Sequence, residues 1–291
     1  MPRSSRPDVP DSTRAVDTAP RMHLSRRRFL RWSLVAGVGA LIGGARVSTY
    51  RHRVEHHDVG MVGLGRPLDA AWLCDFHYGQ FIREGSVAAW IDATLELTPD
   101  LVLLGGDMVD ALTPRQHGPL LDQVARLRAP LGVFAIWGNH DTVRFRSERP
   151  RFEAALLDRG ITVLHNRGVL VRDDLYLAGL DDLRTGRPDL RAALADRPPR
   201  TPCLLLSHNP DVLPQVPTDV DLTLCGHTHG GQVRLPWIGP IVTSSLYGRR
   251  FVEGWVEAPA RGYVSRGLGV TQVPIRINCP PEITSLTLRP A

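Results

Sequence analysis

Five short apolar runs in this chain each end on residues able to hold a metal ion, and this repetition restricts the fold more than any other feature. Ala70 to Cys74 leads into Asp75-Phe76-His77, Leu101 to Leu104 into Gly105-Gly106-Asp107, and Gly132 to Trp137 into Gly138-Asn139-His140-Asp141. Cys203 to Leu206 leads into Ser207-His208, and Leu222 to Cys225 into Gly226-His227-Thr228-His229. Two further strands are expected at Val169 to Val171 and Leu175 to Ala178. Segments of helical period stand among them, at Gly85 to Leu97, Pro114 to Leu127, Pro150 to Arg159 and Pro188 to Ala195. Short apolar strands alternating with helices predict an α/β layered fold, and open α/β sheets place their ligand sites at the carboxyl ends of strands.

The 291 residues suit one large α/β domain. A formal charge of +5 does not mark a nucleic-acid groove: residues 1–57 hold eleven Arg against Asp8, Asp11, Asp17 and Glu55, a net of +7, so the remainder carries −2. A basic tail on a near-neutral body points to targeting. Residues 1–24 are rich in Pro, Ser, Asp and Arg, a composition that predicts disorder. In residues 25–45, Arg26-Arg27-Arg28 precedes Phe29-Leu30 and an apolar run, Trp32 to Ala45, whose fourteen residues fall short of the roughly 20 that span a bilayer. The order Ser25-Arg26-Arg27-x-Phe29-Leu30 resembles a twin-arginine export signal. That resemblance implies the twin-arginine export machinery as a partner. It places the protein in the periplasm, the cell envelope or at the outer face of the cytoplasmic membrane, with Gly43-Gly44-Ala45 as a candidate cleavage site and residues 29–45 as an anchor if uncut. Residues 46–57 are expected to be a linker and 58–291 the folded body.

Cys74, Cys203, Cys225 and Cys279 form no CxxC pair and no dense framework, so they read as buried core residues rather than thiolate ligands or a disulfide scaffold. Along extended backbone, residues i and i+2 point the same way, so Asp75 with His77, and His227 with His229, can each address one locus. Asp75, His77, Asp107, Asn139, His208, His227 and His229 make seven donors, more than one ion takes, which suits two ions sharing a carboxylate. A nitrogen and oxygen set without thiolate suits Mn, Fe or Zn.

The blocks DFH, GDMVD, GNHD, a lone His and GHTH, in this order from Ala70 onward, resemble the calcineurin-like metallophosphoesterases. The wording SHNPDV, GHTHGGQVRLP and NCPPEITSLTL resembles the exported, twin-arginine-signalled phosphodiesterase branch related to UDP-2,3-diacylglucosamine hydrolases. The resemblance implies a four-layer sandwich of two β-sheets flanked by helices. It also implies Asp75, His77 and His229 on one divalent transition-metal ion, Asn139, His208 and His227 on a second, and Asp107 bridging both. His140 is implied as the catalytic acid for the leaving oxygen, while Asp110 and Asp141 hold the loops. Two ions about 3.5 to 4 Å apart lower the pKa of a bridging water and hold phosphate for in-line attack by the hydroxide. No protein nucleophile is then required, which sets Ser207 and Thr228 aside.

The expected substrates are phosphodiesters, including lipid-linked or envelope pyrophosphates, because no basic run near the blocks is placed to clamp a terminal phosphate. The alternative, a non-catalytic metal-binding module on the same fold, would be expected to have lost ligands or His140. Several other residues carry weaker signals. His23, His52, His56, His57, His117 and His165 are expected to be solvated. Arg144, Arg146, Arg149 and Arg151 read as a solvated helix start or a phosphate grip, and Asp181 and Asp182 as a structural turn or part of the cleft wall. Gly60 to Gly65 lacks the Lys-Ser/Thr of a phosphate-binding loop and reads as a plain loop.

Overall fold

Every side chain of Leu101–Leu104 is buried, and successive ones go to different cores. Leu101 and Leu103 join one apolar cluster, Val102 and Leu104 another. That is the period of two of a strand covered on both faces, the reason such strands read as unbroken apolar runs. Leu204 and Leu206 likewise enter the first cluster, whereas Cys203 and Leu205 face a third.

The computed structural model describes residues 25–33, 35, 37, 49–110 and 117–291. The expected disorder of 1–24, the candidate cleavage site and the start of the helix expected at Pro114 lie outside them. The chain divides into two units, residues 1–40 and 41–291. In the first, residues 26–33 are helical, and among the described residues no helix is long and apolar enough to cross a membrane.

The second unit holds fourteen strands among its described residues: β1 (Arg53–Met61), β2 (Leu68–Leu73), β3 (Leu101–Leu104), β4 (Val133–Ala135), β5 (Ile161–Val163), β6 (Arg167–Arg172), β7 (Leu175–Gly179), β8 (Cys203–Leu206), β9 (Leu222–Cys225), β10 (Arg234–Leu235), β11 (Gly239–Pro240), β12 (Gly254–Glu257), β13 (Arg261–Val264) and β14 (Glu282–Pro290). One six-stranded sheet has the order β1-β14-β2-β3-β4-β5, a second β12-β13-β9-β8-β7-β6, and β10 and β11 form a hairpin. Each sheet is parallel through its centre, β2 to β5 in the first and β7, β8, β9 and β13 in the second. Leu101, Leu103, Leu204, Leu206, Leu222, Leu224 and Trp72 fill the space between the sheets. Helices Glu84–Glu96, Gly118–Val124 and Arg149–Leu157 cover the outer face of the first sheet. In Glu84–Glu96 the buried residues Val87, Trp90, Ile91 and Thr94 follow the i, i+3, i+4, i+7 spacing of a single helical stripe. Helix Leu190–Ala193 and the 3-10 turn Pro210–Gln215 cover the second sheet. The architecture is the expected sandwich of two sheets flanked by helices.

Three expectations about local structure change. The linker placed at 46–57 is strand from Arg53 onward, since β1 pairs in parallel with β14 from Arg53 against Glu282 to Met61 against Pro290. Gly60 and Met61, read as loop, close that strand. The run Gly132 to Trp137 is strand only over Val133–Ala135, because its last residues turn into helix Asn139–Phe145.

Candidate metal centre

Beyond their last paired residues, β2 and β3 remain hydrogen-bonded. Asp75 N donates to Gly106 O at 3.0 Å, His77 N to Asp107 O at 2.9 Å and Tyr78 N to Met108 O at 3.0 Å. In the second sheet, Ser207 N donates to Leu224 O and Gly226 N to His208 O, at 3.0 and 2.9 Å. Two bonds join the sheets at this rim. His227 N donates to Asp75 Oδ1 at 3.0 Å, and His208 Nδ1 lies 2.8 Å from Gly105 O. A carbonyl only accepts, so His208 Nδ1 carries a proton, and Nε2 is the nitrogen turned toward the centre.

Asp75, His77 and His229 form one group of donor atoms, and Asp107, His208 and His227 another, each within 4.8 Å internally. His77, Asp107 and His140 form a third group of the same kind. Asp107 stands between the first two: its Oδ2 lies 3.4 Å from His77 Nε2 and 3.2 Å from His208 Nε2. All six residues of those two groups are buried. Asn139 begins helix Asn139–Phe145, and its Oδ1 is buried without a hydrogen-bond partner.

The donor chemistry fits divalent cations. His77 and His229 face each other with Nε2 atoms 3.0 Å apart, an arrangement that a shared cation stabilises. Burial pushes the imidazolium of His77 down to about 4 and that of His227 down to about 3, and it holds His229 well below the ordinary value. These rings are therefore neutral at pH 7, the form a metal requires. Burial also opposes the cation of His208, but Asp107 and Asp75 outweigh it and raise that group well above its usual value. Two buried carboxylates facing neutral imidazoles call for positive charge.

The backbone reaches this arrangement by a route that the extended-chain reading missed. Asp75, His77, Asp107, His227 and His229 all have positive φ, between 48° and 71°. Non-glycine residues adopt this left-handed region at a cost of about 1–3 kcal/mol each. Asp75 and His77 still converge on one group, but His227 and His229 separate into different ones. Gly138 makes a close approach possible, because a Cβ there would stand 2.1 Å from Asp107 Oδ1.

His140 has a different environment. Its backbone N donates to Asp107 Oδ1 at 2.7 Å, its ring meets that of His77 edge-on at 4.5 Å, and its Nδ1 lies 3.6 Å from Asp110 Oδ1. Its side chain is 20% exposed, so it opens to solvent where the six Asp and His ligand candidates are buried. Burial lowers the imidazolium, but Asp110, Asp107 and Asp141 raise it overall. Asp141 is buried and accepts from Gly138 N and Val109 N, each at 3.1 Å, joining two blocks of the site. Burial and the neighbouring Asp107 push its carboxyl up to about 7.

The remaining candidates mostly have structural roles. Asp182 accepts from Arg184 N, Thr185 N and Thr185 Oγ1, and Asp181 from Arg187 N, so both staple one turn. Arg149 pairs with Asp181 at 3.4 Å, and His165 lies 3.0 Å from the same carboxylate while its side chain stays 37% exposed. His117, expected in solvent, lies edge-on to Phe145 and Phe152. Thr228 Oγ1 donates to Val252 O, and Ser207 Oγ to Asn209 O. All four cysteines are free and buried.

Two arginines were not anticipated. The exposed Arg184 brings Nη1 to 3.3 Å from His227 Nε2, a basic group at the rim outside the run Arg144 to Arg151 that sequence offered as a phosphate grip. Arg276 is fully buried, donates to the carbonyls of Arg266, Gly267 and Gly269, and brings Nη2 to 3.3 Å from His229 Nδ1. No local pattern announces either arginine.

Comparison with known proteins places the site in context. Residues 71–231 match the calcineurin-like phosphoesterase family. The chain is 32% identical to the uncharacterized metallophosphoesterase YkuE of Bacillus subtilis (strain 168), covering 91% of this chain and 98% of that one. It is 32% identical to phosphodiesterase YaeI of Escherichia coli (strain K12), covering 91% and 99%. An uncharacterized metallophosphoesterase of Aquifex aeolicus (strain VF5) is 28% identical over 87% of this chain and 98% of its own.

Proposed function

Because the chain belongs to the calcineurin-like phosphoesterase family, it is a metal-dependent phosphoesterase, and we propose that it hydrolyses phosphodiester bonds using two divalent ions held on either side of Asp107. The observation that carries this reading is the position of Asp107 Oδ2 between His77 Nε2 and His208 Nε2. Asp75, His77 and His229 would hold one ion, and Asn139, His208 and His227 the other. When bound, such ions supply Lewis-acid charge to the phosphoryl oxygens and a nucleophile from water at neutral pH. The protein's own part is positional. Asp107 fixes the His140 backbone, Asp110 favours the protonated His140 ring, and His140 gives its proton to the leaving oxygen. Intact donors and an acid partly open to solvent favour an enzyme over a non-catalytic module.

Substrate preference follows from the charge at the rim. Arg184 is a single guanidinium, and Arg276 is occupied by backbone carbonyls. Beyond the two ions, the protein adds little positive charge for the second charge of a phosphomonoester dianion, whereas a diester carries one charge. With Mn²⁺, kcat/KM for bis(p-nitrophenyl) phosphate is expected to exceed that for p-nitrophenyl phosphate by about tenfold, or about 1.4 kcal/mol of transition-state preference. A preference for the monoester overturns the substrate class.

Export through the twin-arginine pathway to the cell envelope is part of the proposal and rests on Ser25 to Leu30. Replacing Arg26, Arg27 and Arg28 together by Lys keeps the charge but removes the planar guanidinium. The triple variant is expected to accumulate in the cytoplasm as a folded, metal-loaded precursor. Fractionation that finds it exported as well as the parent sinks this reading.

A further inference from the structure

Between His229 and Glu253 the chain carries no acidic residue and three arginines, Arg234, Arg249 and Arg250. Within that stretch Trp237 is fully exposed and Leu246 is 91% exposed, and Ile238, Ile241, Val242 and Tyr247 are also open to solvent. Soluble proteins rarely present large apolar side chains in such a concentration unless a partner covers them.

The stretch is tied to the frame, so these side chains cannot simply fold away. Hairpin β10–β11 sets Arg234 against Pro240 and Leu235 against Gly239. Arg234 N donates to Ile277 O, Asn278 Nδ2 to Arg234 O, and Leu246 N to Asp211 Oδ2, all within 3.0 Å. The patch also reaches the metal centre. A cavity of about 240 Å³ beside His229 is lined by Gln232, Val233, Ile241, Val242, Thr271 and Val273. Val242 also borders a neighbouring cavity with Leu246, and Arg249 shares a third with Trp237 and Ile238.

We propose that residues 235–250 form a docking surface for an anionic lipid bilayer, with Trp237, Ile238 and Leu246 entering the interface and Arg249 and Arg250 meeting lipid phosphates. Aromatic and aliphatic side chains at the headgroup boundary, flanked by arginine, match that partner in both polarity and charge. The cavity beside His229 then opens toward the lipid side. Given the phosphodiesterase reading on which this last step rests, a phosphodiester with an apolar tail is presented from the bilayer to the metals.

The test uses the full chain and vesicles of phosphatidylcholine with about 30% phosphatidylglycerol and brominated acyl chains, which quench tryptophans that enter the bilayer. Trp72, Trp90 and Trp137 are buried, so the exposed candidates are Trp32, Trp237 and Trp255. Because Trp32 lies in the segment read as an anchor if uncut, the comparison is made in a Trp32→Phe background, where vesicle-dependent quenching is expected to persist and to be lost on adding Trp237→Phe. Quenching that survives in the Trp32→Phe/Trp237→Phe double variant overturns the proposal. Changing Arg249 and Arg250 together to Gln is expected to weaken partitioning roughly 10- to 30-fold, and unchanged partitioning also counts against it. A dimer in which Trp237 emission is already blue-shifted without vesicles makes a second copy the occupant and overturns the membrane assignment. Hydrolysis of bis(p-nitrophenyl) phosphate, which has no tail, is read on the same samples. Hydrolysis without vesicle contact removes the docking surface alone, and contact without hydrolysis removes the phosphodiesterase reading alone.

Discussion

Asp107→Ala is expected to purify with almost no bound transition metal and to lose phosphodiester hydrolysis by about 10⁴-fold or more. Asp107 is the carboxylate set most tightly between donors of both groups, at 3.4 Å from His77 Nε2 and 3.2 Å from His208 Nε2, whereas Asp75 Oδ1 lies 3.7 Å from His229 Nε2 and 4.0 Å from His208 Nε2. Its other oxygen accepts the His140 N–H. Truncation therefore removes a shared ligand and the tether of the acid in one step. Metal charge at a phosphoryl group contributes several kcal/mol, which converts to a loss of this order. Metal content by mass spectrometry, measured beside turnover, decides the matter. Two ions per chain in Asp107→Ala would falsify the bridging assignment.

His140→Ala should separate metal binding from chemistry. The ring lies beside the ligand candidates yet opens to solvent, so the variant is expected to keep its metals and lose about 10²- to 10⁴-fold in kcat on substrates with alkoxide leaving groups. Nitrophenolate leaves without help, so the loss on bis(p-nitrophenyl) phosphate should be much smaller. A graded series of leaving groups makes the test sharp: the dependence of rate on leaving-group basicity steepens in the variant. An equal loss across the series would assign His140 to binding or positioning instead.

The meeting of Asp75, His77, Asp107, His208, His227 and His229 is legible in sequence because strands covered on both faces leave unbroken apolar runs, and the side chains after those runs share one rim of the sheets. The conformation that delivers them is not. Five of these side chains need left-handed backbone, and nothing in the letters Asp or His announces that. Gly138 is the clearest clue, as a residue small enough to lie against the Asp107 carboxylate. β1 escapes a reading based on apolar runs because Glu55, His57 and Asp58 interrupt it, although it pairs along its whole length with β14. Arg184 reaches His227 from a turn pinned by Asp182, and Arg276 reaches His229 through carbonyl contacts far from any block. Such contacts arise from tertiary placement, which one-dimensional spacing does not encode. Asp141, matched to a loop-holding position, does bind the backbones of two blocks.

The place of β14 in the first sheet has a consequence for biogenesis. It lies between β1 and β2, and the Asp69–Thr287 side-chain bond spans 218 residues of chain. At about 5–20 residues per second of synthesis, β2 leaves the ribosome on the order of tens of seconds before its antiparallel neighbour exists. Until then β2 is an open sheet edge, a surface that invites pairing with other chains. Asp75 follows β2 after Cys74 and depends on that sheet for its position. The nascent polypeptide thus passes most of its translation without a finished cradle, and ion loading becomes a late event, coupled to capture of the distal strand.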